Sequence, residues 1–260
     1  MAEALAGAVD LRAALAVERI EDDLFRANFV QVEEYPLYGG QVAAQALAAA
    51  GATVPAGRQP HSLHGYFLRR GEADRPTMLR VERDRDGRSF SARRVVAVQQ
   101  GKVIFNLSAS FHDTATEPVH QWVEAPELAR PEELGELNMR RYPAVEVRAE
   151  PQPAGRLQLP HRFWARVRHP LPADPLAHAC ALTYVSDLST GLRERLPDIA
   201  PAASLDHALW IHRVPRADDW LLVELTGLAV AGRRGHYSGS IFTPDGRLVA
   251  SLAQEMLIRL

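Results

Sequence analysis

The chain carries two copies of one short pattern, and this internal repeat limits the folds that it can adopt. Residues 62–70 read SLHGYFLRR and residues 204–213 read SLDHALWIHR; each is a β-prone apolar run that begins at a serine and ends at basic residues. The two serines lie 142 positions apart, and residues 100–107 (QGKVIFNL) match residues 245–252 (DGRLVASL) at an offset of 145. Two matches at nearly one offset predict a chain built from two related halves.

The composition is typical of a globular protein and restricts the classes of partner. Of 260 residues, 47% are hydrophobic and 24% are charged, which is enough apolar material for a sizeable core. Lysine and arginine number 30 against 32 aspartates and glutamates, for a formal net charge of −2. A charge balance of this kind lacks the basic field of a nucleic-acid-binding protein, so we expect no nucleic-acid partner.

Cysteine content and hydropathy predict a cytoplasmic protein. The single cysteine, Cys180, cannot form an intrachain disulfide, which fits a reducing compartment. The first residues, MAEAL, lack the basic region of a secretory signal. No uncharged apolar run reaches the ~18 residues of a membrane helix, so no membrane insertion is expected.

Each half is predicted to contain one buried helix followed by antiparallel strands, which makes the chain α+β. Residues 41–50 are rich in alanine and apolar nearly all round, and residues 175–187 repeat this small-residue pattern. Seven prolines between residues 118 and 160 argue against a continuous sheet there. We therefore divide the chain into an N-terminal unit at 1–115, a proline-rich linker at 116–158 and a C-terminal unit at 159–260. Strands are predicted at 61–68, 77–83, 90–99, 102–111, 161–168, 204–213, 220–230, 235–242 and 247–258.

Five segments resemble the signature segments of the acyl-CoA thioesterase II family. They occur in the family's order: YGGQV at 38–42, HSLH at 61–64, RSFSARRV at 88–95, SLDH at 204–207 and DGRLVASLAQE at 245–255. The resemblance covers about residues 15–258 and implies a double hotdog fold, in which each of two tandem units wraps an antiparallel sheet around a central long helix. It also implies hydrolysis of fatty acyl-CoA to free acid and coenzyme A, with no metal, no cofactor and no covalent acyl-enzyme.

The resemblance places the water-activating residues in the second half. The family's aspartate falls on Asp187, its hydroxyl on Ser204 in place of the commoner threonine, and its glutamine on Gln254. A carboxylate at Asp187 would accept a proton from water while the other two groups orient that water. Each residue also has a purely structural interpretation, as a helix end, a strand-end hydrogen bond or a cross-strand hydrogen bond.

The repeat predicts one active site per chain. At its offsets, Asp187 and Gln254 correspond to Gln45 and Ala109, so the first half lacks the carboxylate at one position and the amide at the other. The hydroxyl is present in both halves, because Ser204 corresponds to Ser62. The first half would then contribute surface and hydrogen-bond donors.

Two groups of residues are candidates for substrate contacts. Gly39 and Gly40 precede the first helix, and backbone N–H groups at a helix start suit a developing oxyanion, as the resemblance implies for the half that faces the base. Arg69, Arg93 and Arg94 are candidates for the phosphates of CoA because a guanidinium matches phosphate oxygens. The same arginines also fit a solvated or ion-paired strand face.

Other functions remain open from the sequence. Asp174 and His178 weakly resemble the catalytic pair of hotdog hydratases and dehydratases, although their interval is one residue short. A non-catalytic acyl-CoA-binding protein would use the same polar residues structurally. A G-x-S-x-G elbow is absent, and His61 and His64 fall on opposite faces of a strand, which disfavours a metal pair. Exposed sheet edges favour a homo-oligomer, either a dimer or larger.

Overall fold

A computed structural model describes residues 10–27, 36–113, 120–139, 141–151, 159–189, 192 and 200–259. The helices are α1 (Leu11–Leu15), α2 (Gly39–Gly51) and α3 (Pro175–Ser186). The strands of the first half are β1 (Val17–Glu21), β2 (Leu24–Ala27), β3 (Arg58–Phe67), β4 (Thr77–Asp86), β5 (Phe90–Gln99) and β6 (Lys102–Asp113). Those that follow are β7 (Gly135–Glu136), β8 (Val145–Ala149), β9 (Arg162–Val167), β10 (Ala200–Ser204), β11 (Asp206–Ile211), β12 (Leu221–Ala231), β13 (Arg234–Phe242) and β14 (Leu248–Arg259).

Among the described residues, the strands form one 14-stranded antiparallel sheet in which the two halves meet at β3 and β11. The strand order is β1-β2-β4-β5-β6-β3-β11-β14-β13-β12-β9-β8-β7, and β10 pairs with β14. At the junction Gly65 lies opposite His207. These two residues are separated by the same 142 positions that separate Ser62 from Ser204. The register is therefore the one expected for two equivalent strands related by an approximate two-fold axis.

Helix α2 is buried because most of its side chains are small and apolar. Ala43, Ala44, Ala46 and Ala49 have no exposed surface, and the helix contacts the strands β3 to β6. Alanine has the highest helix propensity and lets neighbouring backbone approach closely. Among the described segments, no helix is long and apolar enough to cross a membrane.

Helices α2 and α3 contact each other with opposite ends adjacent. A Cβ on Gly51, the last residue of α2, would lie 2.5 Å from Leu176 Cδ2 in the first turn of α3. At the other end, a Cβ on Gly40 would lie 2.8 Å from the Tyr184 carbonyl oxygen. The N-terminus of α2 therefore faces the C-terminus of α3.

Strand β5 shows the two-residue alternation that its sequence predicts. Ser91, Arg93, Val95 and Ala97 are buried, whereas Arg94 on the opposite face is exposed. This division follows from the alternation of side chains along a strand, and it separates two adjacent arginines into different environments.

The segment predicted to be a proline-rich linker contains a short paired strand at residues 145–149. Strand β8 is almost wholly buried and pairs with β9, with Val147 opposite Ala165. The neighbouring prolines, Pro143 and Pro151, lie outside the strand, so they interrupt no ladder hydrogen bond. The division of the chain into units at 116–158 stays a prediction.

Candidate active site

Asp187 lies where α3 ends and points toward the first turn of α2. It is the C-cap residue of α3, a position where a carboxylate meets the negative end of its own helix dipole. This cost is offset by the backbone N–H of Gly40, which hydrogen-bonds to the carboxylate. The N-cap residue of α2, Tyr38, makes no side-chain cap, so Asp187 caps that helix from outside.

Two glycines allow this close approach. A Cβ on Gly39 would lie 2.8 Å from Asp187 Oδ2 and 2.9 Å from Phe67 Cε1. A Cβ on Gly40 would lie 2.7 Å from Tyr38 Cζ and 2.8 Å from the carbonyl oxygen of Tyr184. Any larger residue at either position would displace the carboxylate or the aromatic rings beside it.

The structure brings together the three predicted catalytic residues. Gln254 is buried on β14, and its Nε2 donates to Asp187 Oδ1 at 2.9 Å and to Ser204 Oγ at 2.7 Å. Ser204 ends β10, and the backbone N–H of Leu205, which follows it, donates to the carbonyl of Glu255 on β14 at 2.9 Å. One amide group thus joins a helix end to a strand end.

Sequence reasoning did not identify His207 and Ser186 as parts of this site. His207 is buried, with Nδ1 within hydrogen-bonding distance of Gln254 Oε1 and Nε2 2.8 Å from Ser186 Oγ. The available signal was the alternation along β11, where His207 shares the buried face with Leu209 and Ile211. A titratable side chain on the apolar face of a strand requires buried polar partners.

Burial raises the pKa of Asp187 above its ordinary value of 3.8, although the residue keeps partial solvent exposure. Four neighbouring groups act in the opposite direction and lower this pKa: His207, the hydrogen bond from Gln254, the Gly40 N–H and the charge of Arg141. The carboxylate is therefore more basic than an ordinary exposed aspartate, while several donors support its ionised form.

Two buried tyrosines border the same carboxylate. Burial, followed by the charge of Asp187, raises the pKa of Tyr38 and of Tyr237. The Tyr38 hydroxyl donates to the Tyr184 carbonyl at 2.8 Å, and the Tyr237 hydroxyl donates to the Ser189 carbonyl at 3.2 Å. Both hydroxyls stay neutral and serve to fix the backbone around Asp187.

The equivalent positions of the first half carry no comparable set of groups. The C-cap residue of α2 is Ala52, so the helix ends relate Asp187 to Ala52 rather than to Gln45. Tyr237 lies 142 positions after Val95, which is the offset of the repeat. Gln254 lies opposite Tyr237, and Leu107 lies opposite Val95. Strand pairing therefore relates Gln254 to Leu107 rather than to Ala109. Both substitutes are apolar, so the structure supports the inference of one site in the described part of the chain.

The structure does not support a phosphate-binding role for Arg93. Its side chain is fully buried, with Nε donating to Thr53 Oγ1 at 2.8 Å and Nη2 to the Thr53 carbonyl at 3.0 Å. Further bonds reach Asp86 Oδ1 at 2.7 Å and the carbonyls of Arg85 and Ala92. Every N–H of this guanidinium is used internally, and we assign Arg93 a structural role at the C-terminus of α2.

The other two arginines remain candidates for the phosphates. Arg69 is exposed and donates through Nη1 to the Val103 carbonyl at 2.7 Å. It follows Phe67, whose ring borders Gly39. Arg94 is exposed on the outer face of β5 and pairs with Glu82 at 2.5 Å and with Asp84 at 3.2 Å. Arg69 is therefore only two residues from a ring that borders the site.

The residues that suggested a hydratase have structural roles. Asp174 caps α3 by accepting the Leu176 N–H at 3.1 Å. His178 Nδ1 accepts the Ala217 N–H at 3.2 Å, and burial lowers the pKa of His178. Both side chains already accept hydrogen bonds near the N-terminus of α3, whereas Asp187 lies at its C-terminus. This arrangement does not favour hydration chemistry.

Comparison with known proteins gives consistent matches along the chain. The profile of the acyl-CoA thioesterase N-terminal domain matches residues 33–112, and that of the acyl-CoA thioesterase C-terminal domain matches residues 114–258. Human acyl-coenzyme A thioesterase 8 is 35% identical over 96% of this chain and 90% of its own length. Acyl-CoA thioesterase 2 of Haemophilus influenzae is 32% identical over 94% of this chain and 95% of its own.

Solved structures agree with these sequence matches. The acyl-CoA thioesterase II TesB2 of Mycobacterium marinum superposes with a TM-score of 0.81 at 39% identity and covers 96% of both chains. A conserved protein with a hot dog fold from Alicyclobacillus acidocaldarius superposes with a TM-score of 0.81 at 19% identity, covering 96% of this chain and 97% of its own. The second likeness concerns the fold alone, and it supports a hotdog architecture made mostly of antiparallel sheet.

Proposed function

The chain belongs to the acyl-CoA thioesterase family and is a thioester hydrolase that acts on acyl-CoA, and from that premise we propose that Asp187, Ser204 and Gln254 hold and activate the attacking water. The observation that carries the proposal is the pair of hydrogen bonds from Gln254 Nε2, to Asp187 Oδ1 at 2.9 Å and to Ser204 Oγ at 2.7 Å. A water bound between these three side chains, in place of one of the hydrogen bonds, would contact a base, a hydroxyl and an amide at the same time.

Asp187 acts as the general base in this proposal. It takes a proton from the water as the water oxygen bonds to the thioester carbonyl carbon, and the carbon–sulfur bond then breaks. The proton passes to the departing thiolate, which leaves as the coenzyme A thiol, and the acyl group leaves as a carboxylic acid. The raised pKa of Asp187 suits this task because a base is most effective when its pKa approaches the working pH.

The N-terminus of α2 supplies the groups that stabilise the oxyanion. First-turn amides of a helix have no partner within the helix, and the dipole favours negative charge there. The Gly40 N–H already contacts Asp187, so the remaining first-turn amides beginning at Gly39 are the donors for the substrate oxygen. Base and oxyanion donors would then come from different halves of the chain.

Arg69 is the residue that we assign to a phosphate of CoA. It is exposed and lies two positions after Phe67, whose ring borders Gly39. Arg94 lies on the face of β5 opposite the buried Arg93 and is already paired with two carboxylates, and its contact with a CoA phosphate stays a prediction from the sequence.

Each half of the chain forms one hotdog unit in this proposal, with α2 and α3 as the two central helices. The contacts of α2 with β3 to β6, and of α3 with β9 and β11, support the assignment. The fatty acyl chain would enter between the halves. Cytoplasmic location and homo-oligomer formation stay predictions from the sequence, and sedimentation of the purified protein would test the second.

The test of the catalytic assignment is Asp187→Asn assayed for thiol release from acyl-CoA esters of increasing chain length. Loss of the base should lower kcat by on the order of 10² to 10⁴. Asp174→Asn is the matched control, since it makes the same change at the opposite end of the same helix, where asparagine caps as well as aspartate. Equal turnover by the two variants would overturn the assignment.

A further inference from the structure

His207 is not one of the proposed catalytic residues, but it is hydrogen-bonded to one of them, Gln254. It is buried at the junction of the two halves, opposite Gly65 on β3. Its Nδ1 contacts Gln254 Oε1, and its Nε2 lies 2.8 Å from Ser186 Oγ. Both ring nitrogens are thus satisfied inside the protein.

The Gln254 amide determines which ring nitrogen of His207 must carry a hydrogen. An amide oxygen can only accept, so the bond to Gln254 Oε1 requires a hydrogen on His207 Nδ1. Ser186 Oγ also lies 2.9 Å from the Thr183 carbonyl, so its one hydroxyl hydrogen is directed either to that carbonyl or to His207 Nε2. In both arrangements Nδ1 carries a hydrogen.

This hydrogen decides which end of the amide faces the base. With Oε1 held by the ring, Nε2 points at Asp187 and Ser204. The reversed amide would place Oε1 against the Asp187 carboxylate, and two acceptors repel each other. We propose that His207 is a positioning residue that holds the Gln254 amide in its productive orientation through Nδ1–H, with Ser186 Oγ hydrogen-bonded to the other ring nitrogen; this inference rests on the proposed role of Gln254.

The test compares two polar replacements that each keep one donor. In His207→Asn the side-chain N–H lies near the position of Nδ1, whereas in His207→Gln it lies near that of Nε2. The inference expects His207→Asn to keep most of kcat and His207→Gln to lose about 10- to 100-fold with KM unchanged. In a Gln254→Ala background, His207→Gln should cause no further loss, since its effect acts through that amide.

The outcomes separate this inference from the catalytic assignment. Equal losses in the two His207 variants, or a loss that persists in the Gln254→Ala background, would overturn the positioning role while leaving the Gln254 assignment intact. Wild-type kcat in Gln254→Ala alone would overturn that assignment, and the positioning role with it. Ser186→Ala keeps the ring and covers the case in which the ring variants do not fold: kcat should fall while KM holds, and an unchanged kcat would contradict the proposal.

Discussion

Replacing Arg93 with methionine should destabilise the protein without weakening substrate binding. The methionine roughly fills the space but offers no donors, so the Thr53 hydroxyl and carbonyl each lose a hydrogen-bond donor. Thr53 is buried, whereas the Asp86 side chain is 43% exposed and water can replace its contact. Two buried acceptors at about 1–3 kcal/mol each give a loss of about 2–6 kcal/mol in the free energy of unfolding.

Urea denaturation of Arg93→Met beside Arg94→Met measures this loss. The control makes the same change one residue away, on the exposed face, where ion pairs contribute little. The midpoint should fall clearly for Arg93→Met and little for Arg94→Met. An Arg93→Met protein of normal stability with a raised KM for acyl-CoA would refute the reasoning and restore the phosphate-binding role.

Four further predictions concern the site and its surroundings. Gly39→Ala should lower kcat/KM about tenfold or more because its Cβ would lie 2.8 Å from Asp187 Oδ2, whereas Gly135→Ala, which has nothing within 4 Å of its Cβ, should have no effect on the same assay. Burial raises the pKa of Asp187, so kcat/KM should fall on acidification at a pH above 3.8, and a pH profile with no acid limb above that value would contradict the assignment. Because the pKa of Asp187 is higher in the folded than in the unfolded protein, the stability contributed by this residue is present below its pKa in the unfolded chain and is lost as the pH rises through its pKa in the folded protein. Asp187→Asn should therefore unfold at neutral pH no more easily than wild type in a thermal melt. Burial also raises the pKa of the Cys180 thiol, so a thiol reagent should label this cysteine only after the protein unfolds. Fast labelling of the folded protein would contradict the burial of Cys180.

Local patterns in the sequence predicted much of the fold. The alanine-rich run gives α2, and alternation gives the faces of β5. The repeat gives the equivalence of β3 and β11, which pair at the centre of the sheet. These features are encoded over short windows, because helix propensity and strand alternation depend on neighbouring residues.

Strand β8 shows what local reasoning leaves undecided. Proline density over a long segment argued against a continuous sheet, but five consecutive residues without proline are enough for a short paired strand. Whether such a segment pairs depends on a partner, here β9, that the segment itself does not encode.

The sequence by itself indicated the family through its motifs and, through that resemblance, predicted the reaction and the candidate residues Asp187, Ser204 and Gln254. Only the tertiary structure decided what those residues touch. Gln254 and His207 are 47 positions apart, and Asp187 meets Gly40 because two distant helices present opposite ends to each other. Alternation placed Arg93 on a strand face, but packing alone made that face the interior, where its donors are consumed. The physical reason is that periodicity specifies the direction of a side chain, whereas its partners depend on the register and packing of chain segments far apart in sequence.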